Sequence, residues 1–379
     1  MTTAEANLGA ASKKSSDPIR VMIVDDSAVM RGIVSRWVDE EGGIEIVARH
    51  ANGELAVNDV ANIKPDVVIL DIEMPVMDGL TALPLLLKNC PTTKILMAST
   101  LTRRNAEVSL KALSLGAIDY VPKPDGNAGI TTSTTFRREL IEKVKAVCGK
   151  NQYTNAVVHK APSAFSQPGA AGAAASEFSL RPFSRVLPRI LAIGSSTGGP
   201  QALVKVMEVI AASVEKIPVV ITQHMPPTFT TIFAEHISRV AGRLAKEGEE
   251  GEEVVQGGIY VAPGGKHMIL KAQGGKTTIH LDEGPEVNFC RPAVDPMFES
   301  VSKIYNSAVL SLVLTGMGQD GAVGAGVITD AGGSCIAQDQ ATSVVWGMPG
   351  ATANMGNASA VLPLDEIGPK VNKIVKGGV

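Results

Sequence analysis

Hydrophobic positions along the chain fall into short solid runs, separated by stretches in which apolar residues recur every three or four places. IRVMIVDD opens the pattern at Ile19, and a helical stretch, SAVMRGIVSRWVDEE, follows it. EIVARHA, DVVILDIEMP, KILMASTLT and AIDYVPKP are further apolar runs with helix-like segments between them. Such runs predict strands of a parallel sheet covered on both faces by the intervening helices. A last amphipathic segment, FRRELIEKVKAVCGK, closes this unit near Lys150. Alternation resumes at RILAIGSS, with strands predicted at RILAIG, VVITQ, GGIYVAPG, HMILK, TTIHLD, AVLSLVLTG, SCIAQD and SAVLPL. Helices are predicted at PQALVKVMEVI, FTTIFAEHISRVAG, VDPMFESVSKIYN and DGAVGAGVITDAG. Gly274 and Gly275, between HMILK and TTIHLD, supply the turn of a β-hairpin. The fold class is α/β, with two doubly wound parallel-sheet domains, the second Rossmann-like and carrying the hairpin.

From Ala161 to Ser176 every residue is Ala, Pro, Ser or Gly except Phe165 and Gln167, a composition that cannot bury a core and reads as a linker. The expected division is a flexible tail over 1–18, a first domain over 19–150, a linker over 151–186 and a second domain over 187–379. Composition agrees with two folded units: 45% of the 379 residues are hydrophobic and 19% charged. A net charge of −3 gives no general attraction to nucleic acid or an anionic membrane. Cys90, Cys148, Cys290 and Cys335 form no CxxC pair and read as free thiols of a reducing compartment. The N-terminal residues lack the apolar stretch of a signal peptide, and no run is long enough to span a bilayer, so a cytoplasmic protein is expected. The acidic run EGEEGEE at 247–253 reads as a solvated turn.

Candidate chemistry gathers at strand ends. Asp25 and Asp26 end the first strand, Asp71 the third, Ser99 the fourth and Lys123 the fifth. In an open α/β sheet these ends line one crevice, so the side chains converge. Carboxylates brought together repel, and a Mg²⁺ ion, which prefers oxygen ligands, offsets the cost. Asp71 is then placed to attack a phosphoryl group, with Lys123 neutralising the product and the Ser99 hydroxyl bonding one of its oxygens. Solvated strand-end acids are the plain alternative. Against it, VDDS, LDIEMPVMDG, MAST and VPKP occur in order, each closing a predicted strand.

In the second domain, Gly194-Ser195-Ser196-Thr197-Gly198 satisfies GxSxG on a strand–turn–helix, the pattern that exposes a nucleophilic hydroxyl next to helix amides. By itself this pattern is weak, since a glycine-rich turn can instead hold a phosphate. His224 after VVITQ and Asp320 after AVLSLVLTGMGQ reach the same sheet edge, as a Ser–His–Asp triad requires. His236, His267 and His280 lie on a helix and in the hairpin and carry no such implication. A competing motif is GxGxxG at 316–321 with Asp339 after the next strand, a dinucleotide fingerprint. Against it stand the Asp320 carboxylate, where a pyrophosphate needs amides, and the motif's late position in its domain. An output domain that only binds a partner or a nucleotide is the rival class of function.

The segment from Ile19 to Lys150 resembles bacterial two-component receiver domains, which are flavodoxin-like. That resemblance implies phosphorylation of Asp71 by a histidine kinase, metal binding by Asp25 and Asp26 with the backbone carbonyl of Glu73, and a switch role for Tyr120. Pro122 before Lys123 is a departure, at a strand end where proline is tolerable. IGSSTGGP, VITQHMPP, FTxxxAEHIS, VxxGxIYVAPGGKHM, RPAVDPMFES and LTGMGQDGA resemble the chemotaxis protein-glutamate methylesterase family (CheB-type). The resemblance implies a triad of Ser196, His224 and Asp320, with the backbone at Met317 and the turn at Thr197 and Gly198 serving the oxyanion. It further implies hydrolysis of γ-glutamyl methyl esters on chemoreceptors, release of methanol, and deamidation of receptor glutamines. Gln319 stands where the family commonly has Asn. The implied partners are methyl-accepting chemoreceptors as substrate and a chemotaxis histidine kinase as phosphoryl donor. No cofactor is expected at the esterase site, and a monomer is expected.

Overall fold

A computed structural model of the chain describes residues 17–100, 102–123, 134–149 and 178–378. The expected tail up to residue 16 and the low-complexity linker up to residue 177 lie outside the described residues, as does Pro124 of VPKP.

The first domain alternates β1 (Ile19–Val24), α1 (Ala28–Glu41), β2 (Ile44–His50), α2 (Gly53–Ile63), β3 (Val67–Asp71), α3 (Gly79–Asn89), β4 (Lys94–Thr100), α4 (Arg103–Ser114), β5 (Asp119–Lys123) and α5 (Thr134–Val147). Its parallel sheet has the order β2-β1-β3-β4-β5. The strands are nearly solid in Val, Ile, Leu and Met because helices cover both faces. Polar caps start the helices close behind the strands: Ser27 accepts from the Met30 amide, Asp78 from Thr81 and Thr102 from Asn105. The strand order reverses between β1 and β3, so the crevice at their carboxyl ends is where Asp25 and Asp71 meet.

The second domain runs β6 (Ile190–Ser195), α6 (Gly199–Ile210), β7 (Val219–Gln223), α7 (Phe229–Ala241), β8 (Ala245–Glu247), β9 (Ile259–Val261), the hairpin β10 (His267–Gln273) and β11 (Lys276–Asp282), α8 (Val294–Tyr305), β12 (Val309–Val313), α9 (Ala322–Asp330), β13 (Ser334–Gln338), α10 (Met348–Asn354), β14 (Ala360–Leu362) and α11 (Leu364–Val375). Its seven-stranded sheet is parallel in the order β14-β13-β12-β6-β7-β9-β8, with the switch point between β6 and β12. The hairpin turns at Gly274 and Gly275, both with positive φ, as its glycines predict.

Three elements carry no reading in the sequence pattern. β8 is only three residues long, α10 opens with Pro and Gly, and α11 is interrupted by Gly368 and Pro369. Packing overrides propensity in α11, where Ile367, Val371 and Ile374 are buried and Gly368 admits the Val209 side chain of α6. The acidic run is also more than a solvated turn. Glu247 accepts from the hydroxyls of Thr230 and Thr231, and Glu250 from the Leu281 amide.

Residues 178–186, part of the expected linker, are fastened to the second domain. The Arg181 amide donates to the Ala358 carbonyl at 2.8 Å, the Ser184 amide to Ser334 Oγ at 2.8 Å, and Phe178 lies 5.7 Å from Trp346. The two domains touch along the β4–α4–β5 side of the first. Tyr120 stacks on Phe229 at 4.3 Å, Gln201 Nε2 donates to the carbonyls of Leu113 and Ala117, and Arg103 pairs with Glu235 at 2.9 Å. Met317, Val344 and Val345 of the second domain pack on the apolar cluster formed by β1, α1, β5 and α5 of the first.

Candidate active site and switch

Ser196 lies between β6 and α6, His224 directly after β7, and Asp320 in the loop from β12 to α9. Adjacent parallel strands therefore deliver all three to one edge of the sheet. The turn that presents Ser196 depends on close backbone approach. Gly198 has φ +76°, and a Cβ there would strike Val344; a Cβ at Gly316 would press on Ser196 and Met348. Gln223 braces the turn from β7, its Nε2 donating to the Ser196 carbonyl at 2.9 Å and its Oε1 accepting from Ser195 Oγ at 2.6 Å. The Thr197 hydroxyl is buried and, among the described residues, has no hydrogen-bond partner. A buried polar group left unpaired is open to a ligand oxygen.

His224 Nε2 is bonded to Asp320 Oδ2 at 2.8 Å. Asp320 is 1% exposed and accepts further bonds from the amides of Val294 (2.6 Å), Asp295 (3.0 Å) and Gly321 (3.0 Å) and from Asn288 Nδ2 (3.2 Å). Burial works against its charge, but the His224 hydrogen bond and charge with these amides outweigh it and hold the carboxyl below its ordinary value. The same contacts answer the dinucleotide fingerprint, because the Gly321 amide is spent on the Asp320 carboxylate. Asp339 is spent on Thr342, accepting from its amide and hydroxyl.

Cys290 and Asp295 were not singled out by the sequence. Cys290 Sγ lies 3.3 Å from His224 Nδ1, the ring nitrogen that Asp320 leaves open. Among the described residues no hydrogen bond joins Ser196 Oγ to His224. Burial disfavours the imidazolium, yet the sulfur of Cys290 and the Asp320 carboxylate together push His224 up to about 10. Asp295, the first-turn acid of α8, is pushed up to about 6 by burial and by the neighbouring Asp320. Sixty-six residues separate Cys290 from His224, so no local pattern could have joined them.

In the first domain, Asp25, Asp26 and Asp71 bring carboxylate oxygens within 4.8 Å of one another. Lys123 Nζ sits 2.7 Å from both Asp25 Oδ2 and Asp71 Oδ1. Burial, above all, pushes Asp71 up to about 6; Lys123 opposes the rise and Asp25 adds to it. Ser99 is buried at the end of β4, its hydroxyl donating to the Thr100 carbonyl at 3.3 Å, while Glu73 and Gln319 are exposed. Tyr120 is buried, its ring against Phe229 and its carbonyl accepting from Lys143 Nζ at 2.6 Å.

A family model described as CheB methylesterase matches residues 191–371, and a response regulator receiver domain model matches residues 21–134. A Rhodopseudomonas palustris protein named protein-glutamate methylesterase/protein-glutamine glutaminase is 52% identical over 382 residues, covering 100% of this chain and 99% of its own. The chain belongs to the CheB methylesterase family. A Bradyrhizobium diazoefficiens relative, bearing the same name with "of group 2 operon", is 50% identical over 388 residues and covers 98% of both chains. One from Rhodospirillum rubrum is 50% identical over 380 residues and covers 97% of both. These relatives span both domains and the joining segment, so the CheB-type order of receiver followed by esterase holds along the whole chain.

Proposed function

We propose that this chain is a phosphorylation-activated protein-glutamate methylesterase in which Ser196 is the nucleophile, His224 the base and Asp320 the residue that fixes the base. The 2.8 Å His224–Asp320 bond at the strand edge that also carries Ser196 is the observation that carries this reading. Ser196 Oγ attacks the ester carbonyl while its proton passes to His224 Nδ1. Asp320 orients the ring and stabilises its cation. The Thr197 hydroxyl, the turn at Gly198 and the backbone at Met317 are the groups placed for the developing oxyanion. His224 returns the proton to the leaving oxygen and methanol departs; water, activated in the same way, cleaves the acyl-enzyme. With a glutamine side chain the leaving group is ammonia, which gives deamidation. Methyl-accepting chemoreceptors are the substrate class and a histidine kinase the phosphoryl source.

Asp71 is the proposed phosphoryl acceptor. The donor set of Asp25, Asp26 and Asp71 is all carboxylate oxygen, which suits Mg²⁺, with the Glu73 carbonyl as a further ligand. When bound, the ion would neutralise the charge that builds on the phosphoryl oxygens. Lys123, already on Asp71, would pair with the phosphate, and Ser99 would bond one of its oxygens once its hydroxyl leaves the Thr100 carbonyl. The docked receiver lies on Met317 and Val344 beside the esterase site. Phosphorylation shifts the chain towards an undocked form in which that site is open.

The test is methanol release from methylated receptor membranes. Ser196→Ala and Asp320→Asn should abolish it in folded protein, and Asp71→Asn should abolish its stimulation by a phosphoryl donor. Full release by Ser196→Ala would refute the assignment.

A further inference from the structure

Asp320 takes Nε2 of His224, so Ser196 can pass its proton only to Nδ1, and in this structure Nδ1 is in contact with Cys290 Sγ at 3.3 Å. The sulfur reaches it from a tight turn, Val287–Cys290, closed by paired backbone bonds of 3.1 and 2.9 Å. Both central residues of that turn, Asn288 (φ 52°) and Phe289 (φ 62°), sit in the left-handed region without being glycine. Such a conformation persists only where surrounding contacts hold it. From the esterase side, Asn288 Nδ2 donates to Asp295 at 3.1 Å and to Asp320 at 3.2 Å. From the receiver side, the Arg138 guanidinium of α5 lies 4.9 Å from the centre of the Phe289 ring, which is otherwise 76% exposed. Helix α5 is in turn tied to the switch strand, Lys143 donating to the Tyr120 carbonyl and pairing with Asp119 at 3.0 Å.

We propose that Cys290 is a built-in competitor for the catalytic base: while the receiver is docked, its sulfur occupies the His224 nitrogen that Ser196 must use, and Arg138 keeps it there by holding Phe289. This rests on reading His224 as the base of Ser196, and it adds to the covering of the site a direct block on the base. Undocking removes Arg138, the turn relaxes, and Nδ1 becomes free for Ser196. The charged or titratable groups facing His224 are Cys290 from the turn and Asp320 from the loop after β12, with Asp295 of α8 behind Asp320. The sulfur and the carboxylate together favour the cationic imidazole over the neutral one, and only the neutral ring can accept a proton. Ser196 and Cys290 are not equivalent candidates for nucleophile. Ser196 has the N-terminus of α6 and the unpartnered Thr197 hydroxyl beside it, whereas Cys290 sits on a hairpin-like turn.

The experiment uses the full chain and methylated chemoreceptor membranes, with methanol release measured across pH, with and without acetyl phosphate. Cys290→Ala should raise the rate without donor by about fivefold, the scale of one lost hydrogen bond, and leave the donor-stimulated rate within about twofold. Without donor, the acid limb of its pH profile should lie below that of the wild type; with donor the two limbs should coincide. Arg138→Ala, a change at an exposed receiver residue, should raise the rate without donor by about two- to threefold. A Cys290→Ala protein that melts like wild type yet shows an unchanged or lower rate without donor would overturn the proposal. If Cys290→Ala fails to fold, an unchanged Arg138→Ala rate overturns it instead. Ser196→Ala reports separately on the underlying reading: activity surviving there while Cys290→Ala is dead would make Cys290 the nucleophile and sink both.

Discussion

Asp320 is oriented by the backbone before it meets His224: the amides of Val294, Asp295 and Gly321 all point at its carboxylate. An asparagine there would turn an NH₂ group towards some of those amides or towards the ring, so Asp320→Asn should fold and yet lose about 10⁴-fold in kcat. At Asp71 the sign of the pH effect follows from its rise to about 6 through burial. Below about pH 4 the group is neutral folded and unfolded alike; a penalty builds as pH passes 4 to 6 and is constant above. Denaturant unfolding in chelator should therefore show Asp71→Asn equal to wild type near pH 3 and more stable by up to about 3 kcal/mol at pH 7. Equal stability at both pH values would contradict the burial argument. The positions of Asp71 and Lys123 at the ends of β3 and β5, and of Ser196, His224 and Asp320 after β6, β7 and β12, were legible in the sequence because apolar runs mark those strands. Cys290 and Asn288 were not, because a turn between a hairpin and a helix has no periodicity that aims its side chains.

At the scale of elements, strand-to-helix junctions carry most of the residues proposed for the chemistry. The α6 N-terminus has no side-chain cap, and its amides open towards Ser196 through a Gly198 in the left-handed region. The same helix faces the receiver through Gln201, whose Nε2 donates to two carbonyls at the end of α4. Gln201→Ala would leave those carbonyls unpaired in the docked form only. It should raise esterase activity without donor by about tenfold, with the donor-stimulated rate unchanged. A Gln201→Ala protein with wild-type basal activity would mean that this contact does not hold the domains together. The elements that escaped the sequence pattern share a physical cause. β8, α10 and α11 are too short or too interrupted by Gly and Pro to show a period, and they form because the sheet and α6 give them somewhere to bury a few apolar residues.

For the molecule as a whole, two parallel-sheet domains meet at the face where one carries Tyr120 and the other Phe229 and Met317. Tyr120 on Phe229, Gln201 under α4 and Met317 against the receiver's cluster link the Asp71 end of the first sheet to the Ser196 end of the second. Composition reads 151–186 as a linker, but it could not show that residues 178–186 pack on the second domain, since the Arg181 and Ser184 contacts reach more than a hundred residues ahead. A fragment freed of the receiver should therefore begin at residue 178 or earlier, and its basal rate should exceed that of the intact unphosphorylated chain. A folded fragment with an equal or lower rate would refute inhibition by docking. The most direct measurement is methanol release from methylated receptor membranes by the intact chain, with and without a phosphoryl donor, for wild type, Ser196→Ala and Asp71→Asn. Wild type should show donor-stimulated release, Ser196→Ala none, and Asp71→Asn an unstimulated basal rate. Release by Ser196→Ala, or stimulation of Asp71→Asn, would contradict these assignments.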